Sequence, residues 1–375
     1  MEEWSVVHKV ALWGFLGAVV FGVVGNKAQF CTMGAVSDWV SMGSLVRLRS
    51  WLLAMGVALL AAQVMQAAGW IDLSASIYLS GRIGLAGHVV GGFLFGVGMT
   101  LGAGCGQRTL VRVGGGNLKS LVVLVILGLT AYITLRGLLA PVRINIIEPF
   151  SLDVTGYGLA DQSLGTLISG ATGTDNGTVS IAVSLVIGLG LIWFVFKDRD
   201  FRASRDNILA GSVVGLLVAG AWYVTGVIGH DDFEPVRLET LTFIAPVGNA
   251  LNYLMTWTGS TIGFGIAVVL GVMAGSLGYS VATGRFRLET FTTRADMLNH
   301  LYAGALMGFG GVLALGCTIG QGVGGLSTLS LGSLITVIAI VFGSALTNKF
   351  QYYRLDDSFV KSLHQALQDF RLLPR

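Results

Sequence analysis

Charge is what this sequence has least of. Only 11% of its 375 residues are Asp, Glu, Lys or Arg, against about 25% in a soluble domain. A water-soluble globule of this length would need far more charge on its surface. A disordered chain would need few apolar residues and a high net charge, whereas 53% of residues are hydrophobic and the net charge is +3. Proline occurs only five times, which excludes a collagen-like chain. Three cysteines, none of them in a CxxC pair, exclude a disulfide framework. No basic patch is large enough to hold nucleic acid. No nucleotide motif is present, and no residue pattern calls for a cofactor or a metal.

Glycine is abundant, at 55 residues, roughly twice its usual share of about 7%. Combined with long apolar runs, this predicts an all-α integral membrane protein whose helices pack through glycine. A crossing needs about 20 apolar residues. Candidate spans are 10–25, 51–69, 87–104, 121–139, 179–196, 208–228, 260–282, 300–316 and 329–347. The stretch 243–257 is shorter and carries Pro246, Asn249 and Asn252, so it reads as a re-entrant or interfacial segment. No small-residue cleavage site follows the first span, which is expected to be a retained helix.

With nine crossings, the loops alternate in charge. The set 26–49, 106–120, 197–207 and 284–299 holds thirteen Lys and Arg, and the other set holds Arg82, Arg143 and Arg237. Cytoplasmic loops carry the excess of cations, so the N-terminus is expected outside and the C-terminus inside. The other set is also acidic, with Glu148, Asp153, Asp161, Asp175, Asp231, Asp232, Glu234 and Glu239. The chain divides into a first membrane half at 1–140, a long extracytoplasmic connection at 141–178, a second half at 179–347 and an amphipathic cytoplasmic tail at 348–375.

The halves share a repeat. Residues 88–105, HVVGGFLFGVGMTLGAGC, match 300–317, HLYAGALMGFGGVLALGC, at eight of eighteen positions without a gap. Chance in this background gives roughly two. Gly-Gln pairs follow each cysteine, at Gly106-Gln107 and Gly320-Gln321, and then a glycine-rich stretch leads to Ser120-Leu121 or Ser333-Leu334. Under the nine-span count the two units run in opposite directions, the inverted-repeat plan of many transporters. The spacings Gly92/Gly96 and Gly304/Gly308 read as helix packing. Gly104, Gly106 and Gly316 differ, because they bracket thiols at a span end, where a broken helix exposes N–H groups to an anion. A weaker match pairs Gln29-Phe30-Cys31 with Arg285-Phe286-Arg287.

Four motifs, QFCTMGAVSDW at 29–39, GAGCGQRTLVRVGGG at 102–116, GRFRLE at 284–289 and LGCTIGQGVGG at 315–325, give the chain a resemblance to the YeeE/YedE sulfur-transport family over nearly its whole length. The resemblance implies an hourglass-shaped membrane protein that takes up thiosulfate, with cysteines lining a central path. Carried over, Cys105 would be central, with Cys31 and Cys317 on either side. It also implies a small soluble sulfur carrier resembling TusA as a separate cytoplasmic partner. Gln29 stands where the family usually has Arg, and Gln107-Arg108 stand where relatives often have small or aromatic residues.

The chemistry suits a soft anion. Two negative charges cannot cross hydrocarbon unaided. Backbone N–H groups at broken helices offer partial positive charge to sulfonate oxygens, and Arg108, Arg285 or Arg287 could add full charge near the cytoplasmic mouth. A neutral thiol S–H is a weak, soft donor suited to the terminal sulfur, and weak contacts at several sites permit release. Gln107 and Gln321 either orient substrate oxygens or satisfy loop backbone. His88 and His300 read as interfacial helix starts, and Asp38 and Asp296 as solvated loop charges. The reading is therefore a bacterial inner-membrane transporter and not an enzyme, in contact with membrane lipid and with thiosulfate or a related small sulfur anion, selenium compounds included. The alternatives are a membrane thiol–disulfide oxidoreductase and a non-conducting sulfur sensor.

Overall fold

The computed structural model describes residues 5–231 and 234–370. Asp232 and the last five residues of the tail lie outside that range. The chain is helical almost throughout: α1 Val6–Lys27, α2 Thr32–Met42, α3 Val46–Ala67, α4 Gly92–Leu101, α5 Gly106–Gly114, α6 Leu118–Arg136, α7 Ala140–Val142, α8 Leu164–Thr172, α9 Asn176–Phe196, α10 Arg199–Ala203, α11 Arg205–Tyr223, α12 Ile244–Met255, α13 Phe264–Ala282, α14 Arg294–Leu313, α15 Leu331–Tyr353 and α16 Phe359–Asp369. π-helical turns lead into α4 at Gly87–Gly91 and form the segment Gly320–Gly325. Among the described residues one short antiparallel pair, β1 Arg82–Ile83 with β2 Leu152–Asp153, ties the long connection to the stretch between α3 and α4.

Among the described residues, eight stretches are long and apolar enough to cross a membrane. α14 has 20 residues but opens with Arg294, Asp296 and His300, so its first turns are polar. α12 has 12 residues, about 18 Å of helix, which is too short for a hydrocarbon core of about 30 Å. Two further short helices, α2 and α5, lie in what the hydropathy reading took for loops.

Glycines set the distances between helices. Cβ atoms at Gly92 and Gly96 would meet the Thr336 and Ile340 carbonyls of α15, and those at Gly304 and Gly308 would meet the Val123 and Leu127 carbonyls of α6. The repeat units also meet each other: Gly91 faces Gly310, and Gly98 faces Ala303 and Met307. Within lipid there is no hydrophobic force between helices, so this backbone approach is the cohesive term. α1 and α13 close in the same way through Gly22 and Gly275. A single buried cluster joins all of these helices and contains Phe21, Phe95, Phe243 and the three cysteines.

The two units begin and end alike. Asn117 Oδ1 caps α6 by accepting from Ser120 N–H at 2.8 Å, and Ser330 Oγ caps α15 by accepting from Ser333 N–H at 3.3 Å. His88 and His300, expected at interfaces, are both buried, because His88 pairs with Thr336 Oγ1 at 2.7 Å and His300 lies against Asp296. Asp296 also holds Lys119 at 2.7 Å, and Asp38 pairs with Arg47 at 3.3 Å, so neither is a simple solvated charge. α16 packs on α15 through Phe350–Phe359 and Phe342–Phe370 ring contacts, at 5.1 and 5.7 Å.

Candidate functional site

Each cysteine stands on the same local structure. Gln29, Ala103 and Leu315, two residues before Cys31, Cys105 and Cys317, have φ of 55°, 52° and 58°. They are three of the four non-glycine residues with positive φ among the described residues, the fourth being Leu329. For α4 and α14 the closure is a full Schellman motif. Gly104 N–H reaches Met99 O and Ala103 N–H reaches Thr100 O; Gly316 N–H reaches Gly311 O and Leu315 N–H reaches Val312 O. The chain reverses there, and each cysteine then starts a short helix. The carbonyls of Cys31, Cys105 and Cys317 accept from Ala35, Thr109 and Gln321 N–H at 3.0, 2.9 and 2.8 Å.

Glycine normally fills the left-handed position, because a Cβ there costs about 1–2 kcal/mol. Ala103 is exposed, so its methyl brings no packing in return. Ala103→Gly is therefore expected to stabilise the fold by about 1 kcal/mol, read as a higher thermal midpoint in detergent. A lower midpoint would show that the methyl has a role that this geometry does not reveal.

The three helix starts converge. All three cysteines are free and buried. The Cys31 and Cys105 thiols face each other within hydrogen-bonding reach. The Thr318 hydroxyl lies against the Cys105 thiol and has no nitrogen or oxygen partner. Cys317 Sγ accepts from Gly320 N–H at 3.4 Å and lies by the Thr242 hydroxyl. The Phe243 ring lies 5.4 Å from Phe21, and the Phe243 Cβ is 3.8 Å from where a Cβ on Gly106 would be. The order through the molecule is thus Cys31, Cys105, Thr318, Cys317.

The other predicted site residues divide into two groups. Gln107 is fully buried beside Cys105; its Nε2 donates to Phe30 O at 2.9 Å, while Oε1 has no partner among the described residues. Gly104 and Gly106 flank Cys105, and Gly316 is the C″ residue of the second Schellman turn. Gln321 is spent on the fold, since Nε2 donates to Ala314 O and Oε1 accepts from Ser333 Oγ, both at 2.5 Å. Arg287 is not brought to the thiols. It lies in an exposed loop whose backbone pairs with Gly115 and Gly116. Arg108 instead brings a cation close enough to act on Cys31, with Nη2 donating to Gln29 Oε1 and Nη1 to Gly25 O at 3.4 Å. Gln29 and Arg108, the positions where the chain departs from the family motif, therefore touch.

A cavity of about 790 Å³ opens on the face that carries the long connection and descends toward Cys317. Tyr78, Arg136, Arg237, Glu239, Thr242 and Gly316 are in its wall. Sequence reading missed Tyr78, Thr242, Phe243 and Thr318. Thr318 follows a motif cysteine and was within reach of it, but the others carry no local signal.

The sequence profile of the sulphur transport family matches residues 27–346. The chain belongs to the sulphur transport family. It is 25% identical over 341 residues to the thiosulfate transporter TsuA of Spirochaeta thermophila, covering 89% of this chain and 97% of that one. It is 24% identical over 370 residues to the thiosulfate transporter TsuA of Escherichia coli, covering 93% and 96%. With its candidate spans, this sulphur transport family member is a multi-pass membrane protein.

Proposed function

We propose that this protein takes up thiosulfate, or a closely related small sulfur anion, across the bacterial inner membrane, handing it along Cys105 and its neighbouring thiols by weak S–H hydrogen bonds. The observation that carries this is the convergence of three free, buried thiols below a cavity open to one face. The anion descends past Tyr78 and Thr242 to Cys317, then past Thr318 to Cys105 and Cys31, and leaves by Arg108. Each sulfur stands beside a helix start whose N–H groups suit the sulfonate end. Gln107 Oε1, buried without a donor, can accept an S–H and so orient a thiol.

The excess of cations in alternate loops supports a cytoplasmic Arg108 face, with the N-terminus outside and the C-terminus inside. The contacts of Gly91 with Gly310 and of Gly98 with Ala303 make α4 and α14 antiparallel, which supports an inverted repeat. A separate TusA-like carrier at the cytoplasmic mouth would receive the released sulfur anion.

The test is accumulation of labelled thiosulfate in proteoliposomes, competed with sulfate, sulfite and selenite. Sulfate lacks a soft terminal atom and is expected to compete poorly; equal competition by sulfate would overturn the soft-donor mechanism. Saturable binding without accumulation would identify a sensor. A second reading, a thiol–disulfide oxidoreductase, draws on the apposition of Cys31 and Cys105. A Cys31–Cys105 disulfide that appears and disappears with turnover, seen by mass spectrometry, would favour it.

A further inference from the structure

An acid at the entrance for a dianion needs a reason. Of the acids counted on the connection face, Glu239 alone lines the entry cavity among the described residues. Glu148 is tied to Arg143, and Asp153 to Arg82 at 3.6 Å. Glu239 stands on the extended segment between α11 and α12, outside the spanning helices. Its backbone is held on both sides by one hydroxyl: Thr225 Oγ1 donates to Glu239 O at 2.7 Å, and Glu239 N–H reaches Thr225 Oγ1 at 3.3 Å. No hydrogen bond or ion pair to its carboxylate is found among the described residues, and the side chain is half-buried.

We propose that the Glu239 carboxyl is a charge gate on the entry cavity, admitting the sulfur dianion when protonated and repelling it when ionised. The inference rests on the transport reading above. The position fits the role. Tyr78, from the turn Ile77–Leu79, has its phenol packed edge-on against Trp222 at 6.2 Å. Its hydroxyl lies 3.3 Å from where a Cβ on Gly320 would be, and both Glu239 and Cys317 are close enough to act on it electrostatically. Glu239 therefore stands in the wall of the cavity, with Tyr78 between it and Cys317.

The charged and titratable groups around it are few. Arg237 is on the same segment, Arg136 ends α6, Tyr78 comes from its turn, and Tyr253 comes from α12. Among the described residues, α11 and the turn Val224–Ile228 that follows it present only the uncharged Trp222 and Thr225. His230 and Glu234 are exposed on the same segment and are not in the wall. With Glu239 ionised, the wall carries two cations and one anion; with it neutral, two cations face a dianion. Burial pushes the Glu239 carboxyl up to about 7, and Arg237 opposes that rise. Tyr78, whose hydroxyl burial also pushes up, stays neutral throughout this range.

The sign follows directly. Below about pH 7 the gate is neutral and open, and as pH rises through that value it ionises and closes. Labelled thiosulfate uptake into proteoliposomes, with equal pH inside and out, is expected to fall about tenfold between pH 6 and pH 8. Thiosulfate itself remains a dianion over that range. Glu239→Gln is expected to run at the acid-limb rate with a flat profile. Arg237→Gln removes the cation that favours the carboxylate, so its midpoint should move to higher pH. A Glu239→Gln profile that keeps the wild-type slope overturns the gate, as does an Arg237→Gln midpoint that stays or falls. If Glu239→Gln does not fold, the exposed Arg237 position decides alone. A flat profile in an active wild type sinks the gate only, whereas a wild type that accumulates nothing at any pH sinks the transport reading along with it.

Discussion

Cys105→Ala is expected to lower thiosulfate uptake by roughly 100-fold, because a donor lost from a buried anion site costs about 1.5–3 kcal/mol. Cys105 is fully buried, with the Cys31 thiol on one side and the Thr318 hydroxyl on the other. Removing its sulfur therefore takes away a contact to the ion and also breaks the only described link between the two flanking thiols. Serine keeps a donor of similar shape but a harder one, so Cys105→Ser should recover part of the rate, to about a tenth of wild type. The measurement is initial uptake in proteoliposomes, with elution profile and thermal midpoint as checks on folding. Wild-type uptake by a folded Cys105→Ala protein would remove the thiols from the mechanism. Full uptake by Cys105→Ser alone would keep the path and discard the need for a soft donor.

Gly275→Ala is expected to destabilise the protein by roughly 3 kcal/mol or to prevent its assembly. A Cβ at Gly275 would fall inside the contact radius of the Val19 carbonyl oxygen and 2.8 Å from the Val19 carbonyl carbon. Both are backbone atoms, so no rotamer change relieves the clash and α1 must move off α13. Gly22 and Gly271 line the same seam, and Asn26 Nδ2 anchors it by donating to Ser276 Oγ and Ser280 Oγ, both at 2.8 Å. The displacement would reach the site. α1 leads directly into Gln29 and Cys31, and Gly114 of α5 packs on Met273 and Ser276 of α13. Gly278, on the same helix with nothing within 4 Å of its Cβ position, is the control. Gly278→Ala should hold or raise the thermal midpoint, while Gly275→Ala should lower it or abolish the folded peak. Equal midpoints would refute the account of the α1–α13 seam.

The acidic loop set becomes simpler in three dimensions. Among the described residues Glu148 and Asp153 are paired and only Glu239 lines the cavity. Gln29 and Arg108 show a similar reduction. As separate departures from a motif they were unconnected, but in the fold one guanidinium joins them beside Cys31. Arg287 went the other way. The sequence offers it as a charge near the cytoplasmic mouth, and in the fold its loop covers the end of α5.

What the sequence by itself determined about this protein is what depends on short stretches of chain. Apolar length against bilayer thickness picked out an all-α membrane protein and the eight stretches able to cross, and a gapless eighteen-residue comparison showed two alike segments that each end in a cysteine. The cation bias between alternate loops and the glycine spacings of α4 and α14 were legible for the same reason. Tertiary structure alone decided the rest. α2 and α5, of 11 and 9 residues, are too short to be stable alone and exist because the bundle holds them. The left-handed turns at Gln29, Ala103 and Leu315 could not be read, because residues other than glycine adopt that conformation only when surrounding packing imposes it. The meeting of Cys31, Cys105, Thr242 and Cys317 joins positions far apart in the chain, through helix contacts that no local pattern encodes.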